Sequence, residues 1–371
     1  MLTTLEIRGF KAIRETNIIV LGPLTSLFGH RDSGQNAVIE ALQWLQDAIV
    51  HGLHGATLRQ GTTFEGLLHD GARRVAFVMT LGSEEEGETS YALEVATDDA
   101  GVPVVRHESC REGSDSVTAL LTIHSRQVAG KSCVRGIEGA SPLRDPDTLA
   151  LSFVKKARAP GAERLRDLLQ DAVFLRPSYM ALGFRERVQP GAGAPVLDDP
   201  RRRDEEGRAV VALLRRLTPE VRALVVTEIA QLFPGERGNG ALAVGAGDGE
   251  TLARHEGGTS PQGEAEALQV PSWLLSEGMR WVTALFALLV VRPRPRLIVV
   301  QEIERGLDAG ALNGVLRALR QASREGIQVL LSSHSPSLLD QMTPEEVIHV
   351  QCEEGETVFE SVDGLEEVLL R

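Results

Sequence analysis

Two glycines five residues apart, in Gly29-His-Arg-Asp-Ser33-Gly34-Gln35-Asn36, outline a loop of the kind whose backbone N–H groups cradle phosphate oxygens. Where such a loop works on a nucleotide, the residue after the second glycine is a lysine that reaches the β- and γ-phosphates. The next is a Ser or Thr whose hydroxyl ligates Mg²⁺. Gln35 and Asn36 occupy those two places. With 37 glycines in 371 residues, about three or four pairs at this spacing arise by chance, so the loop alone also fits a plain strand-to-helix turn.

Three further constellations follow along the chain. Leu275-Ser276-Glu277-Gly278 opens an apolar helix; Ser276 is placed to cap it and Gly278 permits close approach, which together suit a phosphate, or serve as an ordinary N-cap. Leu297-Ile-Val-Val300 runs into Gln301-Glu302, the place where a strand delivers an Asp to Mg²⁺ and a Glu to the attacking water. Gln301 replaces the first acid and Glu302 keeps the second; an acidic loop after a core strand reads the same way. Val329-Leu-Leu-Ser332-Ser333-His334 ends a second apolar run in a histidine, suited to a γ-phosphate and its water or to a structural role.

The elements that must position these residues are readable from periodicity. Thr4 to Lys11, Thr16 to Leu21 and Leu24 to Phe28 predict three short strands, and Val38, Leu42, Leu45 and Ile49 put one apolar face on a helix of about four turns. Residues 73–146 alternate as a small antiparallel β region, and residues 147–232 read as mainly helical. The Gly- and Glu-rich span from Gly235 to Gly263 predicts a flexible linker. The last third returns to α/β order: a helix from Ser276 to Val291, a buried strand Leu297–Val300, a helix Ala309–Arg324, a buried strand Ile327–Leu331 and a helix starting at Pro336.

Composition sets bounds. A net charge of −13 with 42% hydrophobic residues suits a soluble protein and argues against a generally basic surface that coats nucleic acid. Cys110, Cys133 and Cys352 show no zinc spacing and read as thiols in a reducing cytoplasm. The N-terminus has no apolar targeting segment, and the apolar run from Trp281 to Val291 is too short to span a bilayer.

Loop, LSEG, apolar strand with Glu302 and apolar strand with His334 come in the order of an ABC-type ATPase head. The chain resembles the compact ABC-like ATPases of the overcoming-lysogenization-defect type, relatives of the structural-maintenance-of-chromosomes heads and of DNA-repair ATPases. The resemblance covers residues 1–50, with the opening LEIRGFKAIRE, and about 265–355. It implies an α/β P-loop NTPase fold with a mixed central sheet, an antiparallel β subdomain and a helical insertion. The expected segments are 1–72 for the first part of the head, 73–146 for the β region, 147–264 for the insertion and linker, and 265–371 for the second part.

The same resemblance implies a head-to-tail dimer with ATP between the loop of one head and the LSEG of the other. Gly29, Ser33, Gly34, Gln35, Asn36, Gln301, Glu302 and His334 would form one half-site, with Glu302 and His334 catalytic. Ser276 and Gly278 would serve the opposite subunit, and Asp308 would lie at the dimer interface. Arg8 and Lys11 stand where such heads often touch nucleotide or DNA. The departures fall on the lysine, at Gln35, and on both Mg²⁺ positions, at Asn36 and Gln301. Losing a charge-assisted bond and two hard oxygen ligands weakens ATP and Mg²⁺ binding and turnover together. The expectation is a pseudo-ATPase scaffold or regulatory subunit, as a homodimer or with a paralogous ATPase, working with an effector protein in DNA maintenance or anti-phage defence. Two alternatives remain: a subunit supplying LSEG in trans to an intact partner, and an active ATPase in which Arg31 or Lys11 replaces the missing charge.

Overall fold

The structure is a computed structural model. It describes residues 1–30, 33–82, 87–112, 121–123, 133–136, 139–142, 147–154, 160–176, 217–233, 241–244, 252–259, 265–270, 276–353 and 356–362. Two compact units divide the chain, one formed by Met1–Ala172 with Met342–Arg371 and the other by Val173–Gln341.

The first unit is built on an antiparallel sheet. In spatial order its strands are Gly139–Pro142, Cys133–Gly136, Leu121–Ile123, Pro103–Glu112, Thr89–Thr97, Arg74–Leu81, Leu2–Phe10 and Ile13–Glu15, with Ile19–Val20 also paired to Leu2–Phe10. Where one strand was predicted over residues 16–21, the chain makes two short ones, Ile13–Glu15 and Ile19–Val20. Alternation fixes the register: Ile7 faces Phe77 and Leu5 faces Met79, all fully buried. Against this face lies the helix Gln35–Arg59, whose Trp44 stacks on Phe77 at 5.9 Å between ring centroids and meets Phe10 and Phe64 at 6.4 and 6.1 Å. The helix runs well past the predicted four turns because Gly52, at φ 79° and ψ 170°, kinks it rather than ending it. At the kink the Leu53 N–H donates to Asp147 O at 2.8 Å and the His54 N–H to Asp147 Oδ1 at 2.7 Å, supplying acceptors that the broken ladder lost.

A second strand group in this unit carries the phosphate-type loop. Leu24–Gly29 pairs in parallel with Val347–Glu353, which turns into the antiparallel strand Glu356–Ser361. All six residues of Leu24–Gly29 are buried, as a strand covered on both faces requires.

The second unit contains a parallel group, Val173–Leu175, Leu297–Val300 and Gln328–Ser333. Its helices are Pro219–Leu232, Glu277–Val290, Ala309–Arg324 and the short Pro336–Leu339. Across the span where composition predicts a linker, the structure instead pairs Ala241–Val244, Leu252–Thr259 and Ala265–Val270 in an antiparallel three-stranded sheet. The glycines and glutamates that gave the linker its composition sit partly inside the strand Leu252–Thr259, where backbone pairing holds them without an apolar pattern. Residues 177–216 of the span read as mainly helical, with Arg31 and Leu275, lie outside the described residues.

Candidate functional site

In the first unit the buried strand Leu24–Gly29 delivers the loop directly to the helix Gln35–Arg59. Gly34 is the helix N-cap at φ 103°, a conformation open to glycine, and a Cβ there would run into the Thr357 side chain. A Cβ on Gly29 would strike the Val350 carbonyl oxygen. Both glycines are therefore required by packing as well as by any ligand. Gln35 is 5% exposed and folds back into the loop: its Nε2 donates to Gly29 O at 3.2 Å, and its Oε1 accepts from Ser33 Oγ. Both ends of the amide are spent on the loop's own atoms. Asn36 is half-buried in the first turn.

Lys11, one of the two cations offered as a replacement, and Arg8, which stands with it where such heads touch nucleotide or DNA, both have partners among the described residues. Lys11 Nζ lies 2.8 Å from Glu40 Oε2 and 3.3 Å from Gln60 Oε1, over the Phe10 ring. Arg8 pairs with Glu15 at 3.0 Å and Glu6 at 3.4 Å.

In the second unit the remaining candidates gather at one end of the parallel strands. Gln301 follows Leu297–Val300, its N–H donating to Leu175 O at 2.9 Å and its Oε1 buried without a hydrogen-bond partner. Glu302 adopts φ 51°, its N–H donates to Ser332 Oγ at 3.1 Å, and its carboxylate accepts from Arg305 at 3.0 Å. Asp308 caps the helix Ala309–Arg324, accepting from the Ala311 N–H at 2.7 Å. Ser276 is exposed and caps Glu277–Val290 by accepting from the Met279 N–H at 3.2 Å. Gly278 abuts the Gly306 carbonyl, which a Cβ would strike, and Trp281 donates from Nε1 to Arg305 O at 2.9 Å. The LSEG helix and the loop after Gln301 are thus clamped together, backbone to backbone.

Sequence reading missed Glu304. Its Oε1 accepts from the His334 backbone N–H at 3.1 Å and lies 3.2 Å from the ring Nδ1. The signal was there as a third acid in Gln301-Glu302-Ile-Glu304, but nothing local shows that it faces a residue at the end of the neighbouring strand.

A family model described as "AAA domain, putative AbiEii toxin, Type IV TA system" matches residues 261–340. Among solved structures, an Smc head bound to the C-winged helix domain of ScpA aligns over 100% of this chain and 99% of its own, with a TM-score of 0.57 and 13% identity. The fold is that of an ABC-type P-loop ATPase head. The ribose import ATP-binding protein RbsA of a Ruegeria species is 40% identical over 90 residues, 24% of this chain. The energy-coupling factor transporter ATP-binding protein EcfA of Methanothermobacter thermautotrophicus is 36% identical over 67 residues, 18% of this chain. These matches span 17% and 21% of the two relatives' own lengths.

Nucleotide and Mg²⁺ are what ABC-type heads in general use, and the donors here can be tested against the metal. Mg²⁺ asks for hard, preferably anionic oxygen in octahedral array. In the second unit Gln301 Oε1 is an oxygen without a hydrogen-bond partner, yet neutral, and Glu302 is drawn to Arg305. In the first unit Asn36 offers an amide. Among the described residues no group of three or more His, Cys, Asp or Glu is arranged to hold a metal.

Proposed function

We propose that this chain is an ABC-type head that hydrolyses little or no ATP by itself and acts as a scaffold or regulatory subunit. The observation that carries this reading is Gln35: the side chain in the lysine's place is buried and bonded to Gly29 O and Ser33 Oγ. A bound phosphate gains no charge from it, and a charge-assisted bond is about twice as strong as a neutral one. By resemblance the setting is DNA maintenance or anti-phage defence, with an effector protein docked on the head; the Smc head bound to a domain of ScpA supports partner docking on this fold. Purified chain with ATP and Mg²⁺ is expected to show no turnover above a Glu302→Gln control. Gln35→Lys is expected to tighten ATP binding by about tenfold, the equivalent of about 1.4 kcal/mol. Clear Mg²⁺-dependent turnover by the unaltered chain, lost in Glu302→Gln, would sink the reading.

A second reading is favoured by Ser276, which stays exposed at a helix N-terminus while Gly278 is seated on Gly306. That end of the helix is ready to complete the site of a partner that keeps its lysine. Mixed with such a partner, the chain would support turnover that Ser276→Arg abolishes; a scaffold would be indifferent to the substitution.

A further inference from the structure

The carboxylate of Glu304 is turned to His334 in a way the proposed function does not use. The backbone bond from the His334 N–H, at 3.1 Å, does not depend on the state of the ring, so it holds Oε1 at the His334 main chain whatever the ring's charge. The side chains are 14% and 28% exposed, and Glu304 Oε2 is buried without a hydrogen-bond partner. An ionised carboxylate only accepts. Set 3.2 Å from Nδ1, it repels a bare ring lone pair and attracts an N–H, which leaves the lone pair of the neutral ring on Nε2.

We propose that Glu304 is a positioning residue that holds His334 in its Nδ1–H form, so that Nε2 meets a phosphate oxygen only after taking up a proton. A phosphate oxygen is an acceptor, and against an Nε2 lone pair it is repelled. One proton passes from solvent hydronium to Nε2, an O–H bond breaking as the N–H bond forms and water being left, and the ring becomes an imidazolium with a donor on each side: Nδ1–H to Glu304 and Nε2–H to the anion. A positive charge is thereby made available in the second unit, conditional on the ligand's arrival. Of the other charged groups on the loop, Glu302 and Arg305 are paired with each other at 3.0 Å, and on the strand end Ser333 Oγ accepts from the Ser335 N–H at 3.1 Å. The phosphate half of this inference rests on the proposed function, in which a nucleotide is what the ring meets. The tautomer half does not.

The test is ring-nitrogen NMR of protein labelled with ¹⁵N-histidine, the His334 signals assigned by their loss in His334→Gln. In the unaltered chain the neutral ring is expected to carry its proton on Nδ1. Glu304→Gln, whose amide oxygen still accepts, should preserve that pattern, whereas Glu304→Ala should relax it toward the mixture of free histidine. A neutral ring protonated on Nε2 in the unaltered chain overturns the tautomer assignment even if Glu304→Ala fails to fold, and so does a folded Glu304→Ala with an unchanged pattern. Addition of ATP at millimolar concentration should move both nitrogens to imidazolium positions. ATP that leaves them unmoved, bound or not, overturns the phosphate half. Turnover by the chain alone would instead defeat the pseudo-ATPase reading and leave the tautomer standing.

Discussion

At the residue scale, Glu302 and Gln35 divide the candidate chemistry between strain and closure. Glu302 is one of two non-glycine residues described at positive φ, and a left-handed conformation costs a side-chain-bearing residue about 1–2 kcal/mol. Its ion pair with Arg305 offsets little of this, because both groups are substantially exposed and such pairs are worth about 0–1 kcal/mol. The conformation is held by the Glu302 N–H donating to Ser332 Oγ at 3.1 Å and by the Arg305 N–H donating to Glu302 O at 3.0 Å. Glu302→Gly should therefore raise stability by about 1 kcal/mol in urea unfolding, whereas Glu302→Gln, with the same backbone cost, should not. A Glu302→Gly protein no more stable than Glu302→Gln would show that the loop carries no stored strain. Gln35 works in the opposite sense: its amide relaxes the loop by satisfying two groups that would otherwise face a ligand or water.

At the element scale, the strand Pro103–Glu112 serves as an anchor as well as a sheet member. Glu108, fully buried in it, accepts from the Tyr91 hydroxyl and from the Ala150 and Leu151 N–H groups, each at 2.9 Å, and so ties down the turn Ala150–Phe153. Burial pushes the Glu108 carboxyl above the ordinary glutamate range, against the pull of those three donors. A folded-state value above the unfolded one means that its contribution is fully present below the unfolded value and lost as pH rises through the folded one. The stability of the unaltered chain minus that of Glu108→Gln should accordingly fall as pH rises from about 4, followed by urea midpoints. A difference that grows with pH would place the carboxyl below its ordinary range. None of this was visible in the sequence, where Glu108 is one acid in an alternating strand. Other elements were legible because their signals are local. Ser276 caps the helix it precedes, and Leu297–Val300 is a strand because four consecutive apolar residues are buried on both faces. The sheet over residues 241–270 escaped because Gly and Glu carry no period. Glu304 escaped because its partner, His334, is brought to it by the pairing of Leu297–Val300 with Gln328–Ser333.

At the scale of the whole molecule, charge bears on the proposal that the head docks an effector protein rather than DNA. A formal −13 is set against 39 basic residues, and the basic residues described near the head's first strands are already matched: Arg8 with Glu6 and Glu15, Lys11 with Glu40, Arg14 with Glu356. Duplex DNA is bound non-specifically through free cations that displace condensed counterions, with dissociation constants of about 10⁻⁴ to 10⁻⁶ M for proteins that present them at physiological salt. A cation with a carboxylate beside it presents little net positive charge to a phosphate, because the carboxylate repels the same anion. Neutralised pairs of this kind are what the proposed protein effector, rather than duplex DNA, would meet. Fluorescence anisotropy with a short labelled duplex should accordingly show no saturable binding below about 100 μM at about 0.15 M salt, the weak limit of that non-specific range. Saturable binding with a steep salt slope would mean that cations other than Arg8, Lys11 and Arg14 form a phosphate track, and DNA would then replace the effector protein as the partner to pursue.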